Sequence, residues 1–231
     1  MKYKSLFFDL DDTLWATTLN SRQTLRTMYD VCRFHRFFAS FDVFYQLYSV
    51  RNEELWSDYS LGLIDKEELN HERFLYPLRS VGVPDAERMA VDFAQGFFAR
   101  IPLCSGLMPG ALETLDYLHS RYRLYILSNG FRELQSQKMK SAGIDTYFSR
   151  VILSDDIGVL KPSVQLFHFA LSATQSELRT SLMIGDNFRT DIEGAASAGL
   201  DQAFYDPTGK QPTSFTPTLR IGDLRELIDL L

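Results

Sequence analysis

The sequence predicts an α/β protein: a parallel sheet covered by helices on both faces, with an α-helical domain inserted after the first strand. Three observations carry that prediction. Short, mostly apolar runs at residues 6–8, 124–127, 151–153, 181–184 and 203–205 have the length and continuity of strands buried on both faces. Amphipathic helical segments alternate with these runs from residue 103 onward, the order that builds a parallel sheet. Between the first run and that alternation, the chain shows helical periods and no strong strand. The expected division is a core of residues 1–14 and 103–231 with an inserted helical domain of residues 15–102.

Taken in order, Leu6-Phe7-Phe8 is the first strand and runs straight into Asp9-Leu10-Asp11-Asp12. Leu25, Met28, Tyr29 and Cys32 repeat at i, i+3, i+4, i+7 and mark one face of a helix. Phe41, Phe44, Leu47, Tyr48 and Leu55 mark a second, which residues 60–62 interrupt. Asp65, followed three residues later by Glu68, reads as the N-cap of a third helix, with Pro77 and Gly82 closing it. Pro84-Asp85 opens a fourth, with Met89, Ala90, Phe93, Ala94 and Phe97 on one face. Residues 103–110, with Gly106, Pro109 and Gly110, form a hinge and turn. Residues 15–18 and 101–106 are the two chain crossings between the expected domains.

Helices are expected over 111–118, 132–141 (stopped by Gly143), 164–173 and 191–198 (closed by Gly199). Residues 207–217 read as a polar loop with three prolines, and Asp223 as the cap of a terminal helix. No internal repeat or low-complexity tract interrupts the pattern.

Composition narrows the function. A chain of 231 residues with 18 Phe and 11 Tyr can bury a sizeable core. A net charge of −6 and the lack of a Lys/Arg-rich run argue against a nucleic-acid polymer as partner. The two cysteines, Cys32 and Cys104, lie far apart in no metal or redox pattern and are expected as reduced thiols. No apolar segment approaches a membrane span, and Met1 to Lys4 leads directly into the first strand. The expectation is a cytoplasmic protein that uses no membrane.

Polar clusters sit at the carboxyl ends of the predicted strands, where ligands of open α/β sheets gather. Asp9 and Asp11 follow the first, Ser128-Asn129 the second, and Asp186 with Asp191 the fourth; Lys161 lies in the loop before a helix. Taken singly each has a bland explanation: an Asp at a strand end is usually a turn former, and a lone DxD is functional about one time in ten. Together, in this order, they define one candidate site.

The chemistry such a site suits is phosphoryl transfer, which requires charge neutralisation and an in-line nucleophile. Magnesium, a hard oxygen-seeking ion, would be held by Asp9 and Asp186. Asp9 would attack phosphorus, and Asp11 would protonate the leaving oxygen and later activate water. Ser128, Asn129 and Lys161 would donate to the phosphoryl oxygens. Asp191 would bind metal-coordinated water or orient Lys161.

These residues resemble the haloacid-dehalogenase-like superfamily of hydrolases. Its motif DxDx[TV] matches Asp9-Leu10-Asp11-Asp12-Thr13, its strand-end Ser/Thr matches Ser128, its Lys matches Lys161, and its GDxxxxD matches Gly185-Asp186 through Asp191. The resemblance covers the whole chain, the insert falling where that family carries a helical cap on a Rossmann-like core. It implies magnesium-dependent catalysis through an aspartyl enzyme intermediate, with the Asp11 backbone carbonyl as a further metal ligand. The dehalogenase branch lacks an acid at the position of Asp11, so its presence here points to phosphate esters. Asp11-Asp12-Thr13-Leu14-Trp15, Leu127-Ser128-Asn129-Gly130 and Gly185-Asp186-Asn187 are most similar to the house-cleaning 5'-nucleotidase branch. The implied substrate is a small phosphorylated metabolite, a nucleoside 5'-monophosphate.

Two alternatives stand beside that reading. A sugar-phosphate phosphatase or phosphomutase would use the same core motifs. A phospho-receiver signalling domain also combines acids, magnesium, Ser/Thr and Lys, but it is about half this length and carries its phosphoacceptor on a later strand. The aromatics Phe34, Phe37, Phe38, Phe41, Phe44, Tyr45, Tyr48 and Trp56 could stack on a nucleobase, yet helical spacing accounts for most of them as the core of the insert. His35, His71, His119 and His168 show no metal-ligand spacing.

Overall fold

The computed structural model describes residues 2–231; Met1, the start of the short lead-in to the first strand, lies outside them. Six parallel strands form one sheet: β1 Ser5–Phe8, β2 Arg123–Ser128, β3 Arg150–Leu153, β4 Ser181–Gly185, β5 Asp201–Tyr205 and β6 Leu219–Ile221. Their order is β3-β2-β1-β4-β5-β6, which puts β1 between β2 and β4. The chain therefore winds outward from β1 in both directions, and the crevice between the two halves opens at the carboxyl ends of β1, β2 and β4.

The apolar runs became strands because both faces of the sheet are covered. Phe7, Tyr125, Leu127 and Met183 point to one face and pack with Phe167 of helix α7 (Val164–Thr174), the rings of Phe7 and Tyr125 stacking at 5.1 Å. Leu6, Phe8, Leu124, Ile126, Leu182 and Ile184 alternate onto the other and are equally buried. The core helices completing these layers include α5 Ala111–Leu118, α6 Arg132–Ser141, α8 Gly194–Ser197 and α9 Glu226–Leu230.

The chain divides into two compact units, one made of the chain up to Thr17 together with Ser105–Leu231, the other of Thr18–Cys104. The second contains most of α1 (Thr17–Val31) and all of α2 (Phe41–Ser60), α3 (Lys66–Ser80) and α4 (Ala86–Arg100). Its interior is aromatic: Phe34 stacks on Phe93 at 4.9 Å, and Phe44 lies 5.5 Å from each of them. Phe34, Phe38, Phe41, Phe44 and Tyr48 are buried here, as helical spacing led one to expect, whereas Phe37, Tyr45 and Trp56 are half-buried.

Asp65 caps α3 as expected, accepting from the Glu68 N–H at 2.8 Å. Four local expectations need correction. Pro77 lies inside α3 and does not end it; the helix runs on to Ser80 because Phe74, Leu75 and Leu78 are buried around that turn, and Gly82 breaks it with φ +68°. The segment expected as a helix from Asp191 begins at Phe188 with a widened π-helical turn, Phe188–Glu193, before α8. Residues 219–221 form an unexpected edge strand, whose Arg220 pairs with the buried Asp206 at 2.5 Å. Asp223 sits ahead of α9 in a turn, its carboxylate accepting from the Arg225 N–H at 2.9 Å.

Cys32 and Cys104 form no disulfide among the described residues. No helix among the described residues is long and apolar enough to cross a membrane.

Candidate active site

Asp9 leaves β1 with its N–H still bonded to the Ile184 carbonyl at 2.9 Å, so its side chain starts from the sheet edge. The chain then turns sharply: the Leu14 and Trp15 N–H groups both donate to the Leu10 carbonyl, at 3.0 and 2.8 Å, and Asp12 takes φ +61°. The turn is tied to the returning chain by Met108 N–H to Leu14 carbonyl at 2.8 Å and Ala16 N–H to Gly106 carbonyl at 3.0 Å. This tight loop sends Asp9 and Asp11 to different neighbours.

Asp9 is buried and its Oδ1 accepts from Lys161 Nζ at 2.6 Å. The same Nζ donates to Asp191 Oδ1 at 2.6 Å, and Lys161 is 2% exposed. Asp191 reaches back to Lys161 from the widened turn after β4, and Asn187 N–H donates to its other oxygen at 3.1 Å. A Cβ on Gly185 would stand 2.3 Å from that oxygen, so the glycine of Gly185-Asp186 is required by the close approach of Asp191. Thr13 fixes Asp186, donating to Oδ1 at 2.9 Å and accepting from its N–H at 3.0 Å.

Asp9, Asp186 and Asp191 bring carboxylate oxygens within 4.8 Å of one another. Burial first, and then Asp191 and Asp11, push the Asp9 carboxyl up to about 7, against the pull of Lys161. Burial, followed by the Asp9 and Asp191 charges, likewise holds the Asp186 carboxyl well above its ordinary range. Burial works against the Lys161 ammonium, but Asp191 and Asp9 more than reverse it and keep its pKa raised. The cluster thus holds three carboxylates, two of them bonded to one ammonium. An all-oxygen cluster with surplus negative charge fits a small hard dication such as magnesium, which would favour the ionised forms.

Asp11 has a separate set of partners. Its Oδ1 accepts from Thr17 Oγ1 and Lys138 Nζ, each at 2.7 Å, and its Oδ2 from Gln135 Nε2 at 2.6 Å. Burial alone would raise the Asp11 carboxyl; Lys138, then Thr17 and Gln135, more than reverse it and hold it below its ordinary range. Ser128 lies at the end of β2, 1% exposed, and accepts from Gly130 N–H at 3.0 Å and Gln135 Nε2 at 2.8 Å, which leaves its hydroxyl proton to donate.

The Asn129 side chain is held on the Lys161 backbone: Nδ2 donates to the Lys161 carbonyl at 3.0 Å and Oδ1 accepts from the Lys161 N–H at 2.8 Å, which leaves one amide hydrogen to donate. That two-bond ring clamps the Lys161 loop to the end of β2. The structure thus gathers Asp9, Asp186, Asp191 and Lys161 at one point, and places Ser128 and Asp11 on a shared Gln135. Asp191 both contacts Lys161 and contributes its carboxylate to the oxygen cluster. Thr13, Thr17, Gln135 and Lys138 were not singled out as site residues. Thr13 carried a signal, its place in the first motif; the other three carried none beyond polar character.

A doubly wound sheet with an acid-and-lysine cluster at its carboxyl edge is a scaffold on which a hydrolase can be built. Residues 3–199 match the model of the haloacid dehalogenase-like hydrolase family, and the chain belongs to that family. It is 32% identical to pyrimidine 5'-nucleotidase YjjG of Escherichia coli (strain K12), over 100% of this chain and 99% of that one. It is 30% identical to pyrimidine 5'-nucleotidase PynA of Streptococcus pneumoniae (strain ATCC BAA-255 / R6), over 100% and 96%. The structure is similar to the crystal structure of the putative hydrolase YfnB from Bacillus subtilis, determined bound to magnesium. The TM-score is 0.88 at 26% identity, covering 100% of this chain and 99% of that one.

Proposed function

We propose that the protein is a magnesium-dependent phosphatase that hydrolyses nucleoside 5'-monophosphates, pyrimidine nucleotides foremost, through an aspartyl-phosphate on Asp9. The observation that carries the proposal is the division of labour within Asp9-Leu10-Asp11. One carboxylate lies in the buried oxygen cluster against Lys161, and the other, two residues on, is held apart by its own donors. Phosphomonoester hydrolysis through a covalent enzyme needs a nucleophile and a separate acid/base. The likeness to two pyrimidine 5'-nucleotidases along essentially their whole length supports the substrate class.

A carboxylate oxygen of Asp9 attacks phosphorus as the ester P–O bond breaks, and Asp11, which must first take up a proton against the pull of Lys138, passes it to the departing 5'-oxygen. Water then attacks the phosphorus of the aspartyl-phosphate, Asp11 takes its proton, and the Asp9–phosphorus bond breaks to release phosphate. Lys161 and the Ser128 hydroxyl stabilise the phosphoryl oxygens, and Asn129 holds the Lys161 loop in place. Asp191 orients the Lys161 ammonium. Asp9, Asp186 and the Asp11 carbonyl would hold magnesium, which supplies positive charge to the transferring group when bound.

The test is phosphate release from a panel of nucleoside monophosphates and sugar phosphates, with magnesium, with a chelator, and with Asp9→Asn. The expected outcome is magnesium-dependent release favouring nucleotides, with turnover in Asp9→Asn down by at least about a thousandfold and its melting curve still cooperative. Substantial residual activity in that variant overturns the covalent mechanism. Release favouring sugars keeps the mechanism and replaces the substrate class.

A further inference from the structure

Helix α6 exposes most of its length, yet two of its polar side chains are buried. Gln135 is 0% and Lys138 7% exposed. They stand three residues apart and so share a face, the one turned to Asp11. Lys138 Nζ lies 2.7 Å from Asp11 Oδ1 and 4.6 Å from the centre of the Trp15 ring, which is itself fully buried. Gln135 uses one amide nitrogen twice, for Asp11 Oδ2 at 2.6 Å and Ser128 Oγ at 2.8 Å.

Two further features show how closely this amide is fitted. A Cβ on Gly130 would stand 2.0 Å from Gln135 Nε2, so the glycine that ends Leu127-Ser128-Asn129-Gly130 makes room for it. Gln135 Oε1 is buried with no partner, a cost that an apolar residue at this position would not carry. Neither residue belongs to the oxygen cluster of Asp9, Asp186 and Asp191.

We propose that Gln135 and Lys138 are positioning residues for the acid/base step: from one helix face they hold both oxygens of Asp11 and set its distance from Ser128. The proposal rests on the phosphatase reading above. Lys138 bears the larger share, because a charged donor braced on an aromatic face fixes a carboxylate more strongly than a neutral amide does. Gln135 sets the spacing between the acid and the phosphoryl-binding hydroxyl, so proton delivery and phosphate position are coupled through one amide.

The experiment compares kcat/KM for p-nitrophenyl phosphate, whose leaving group needs little protonation, and for an alkyl phosphate from the panel, whose leaving group does. Lys138→Met should lower kcat/KM on the alkyl ester about 100-fold and on the aryl ester at least about tenfold less. Gln135→Leu should show the same selectivity at about tenfold on the alkyl ester, and Lys138→Arg should restore part of the loss. In an Asp11→Asn background, Lys138→Met should add no further loss, because the group it positions is gone. Equal losses on both esters, or a full further loss in the Asp11→Asn background, overturn the proposal. If Lys138→Met does not fold, Gln135→Leu and Lys138→Arg carry the same comparison. A wild type inert on every ester overturns the phosphatase reading and this proposal together. An active wild type with losses independent of the leaving group overturns this proposal alone.

Discussion

In the core unit, the buried charges of the sheet edge lie within reach of one another: Asp9 and Asp191 share the Lys161 ammonium, and Lys138 meets Asp11. In the inserted unit, the buried charge is Arg73, 7% exposed, and no carboxylate among the described residues pairs with it. Its guanidinium donates to the side-chain oxygens of Asn70 at 2.7 Å and Asn52 at 3.4 Å and lies 4.9 Å from the Phe98 ring centre. The remaining interior of that unit is mainly apolar, its rings packed on one another and among buried leucines. The two regions therefore place charge for different ends. A cluster of like charges held around one ammonium gains from a further cation. The lone guanidinium bonds amide oxygens through its terminal nitrogens, leaves Nε without a partner, and has no second charge beside it. Convergence of charge, more than burial of charge, sets the candidate site apart from a packed interior.

The sharpest way to break this comparison is to remove the shared cation. Lys161→Met leaves Asp9 and Asp191 buried with no ammonium between them, and losing one partner of a buried pair costs about 3–5 kcal/mol. The expected result is loss of phosphate release together with a large fall in melting temperature measured without magnesium. A variant melting with the wild type would mean that the cluster does not depend on its lysine, and the contrast with Arg73 would disappear.

What could be read beforehand divides along similar lines. β1, β2 and β4 were legible because strands buried on both faces leave unbroken apolar runs, and Asp9, Ser128 and Asp186 were legible because each stands where such a run stops. The limits of α6, 132–141, were legible from its turn residues. The edge strand β6 was not, because Leu219-Arg220-Ile221 is three residues long and one of them is charged. The place of Asn129 beside Ser128 does not reveal that its amide closes on the Lys161 backbone. Gln135 and Lys138 were invisible as site residues. Their meaning depends on how α6 rotates against the turn after β1, which is a matter of packing and leaves no spacing in the sequence.

A second, smaller effect sharpens the account of the core. Asp9 has its carboxyl pushed up to about 7 in the folded protein against an ordinary 3.8. Between about pH 4 and 7 the folded state therefore holds more protons than the unfolded chain, and without a divalent cation its stability falls as pH rises through that window. A metal must displace those protons, so magnesium should stabilise little below about pH 5 and by about 2–3 kcal/mol near saturation above pH 7. Melting curves with and without magnesium across this range check it. Stabilisation that is flat with pH would place the ion away from Asp9.

The smallest effect belongs to the inserted unit. Arg73→Met keeps the length of the side chain against Phe74, Phe97 and Phe98 while removing the charge. The variant gives up the bonds to Asn52 and Asn70, whose oxygens each lose a donor at about 1 kcal/mol apiece. Against this, a guanidinium whose Nε is buried without a partner, and whose pKa burial draws downward against the opposing pull of Tyr48, no longer has to be desolvated. The two contributions oppose each other, and the expected change in stability is within about 1.5 kcal/mol in either direction, well below that for Lys161→Met. Thermal unfolding of the two variants side by side decides the comparison. A loss at Arg73 as large as at Lys161 would show that its amide partners hold the guanidinium as tightly as two carboxylates hold the lysine, and that charge convergence does not mark the reacting centre in this protein.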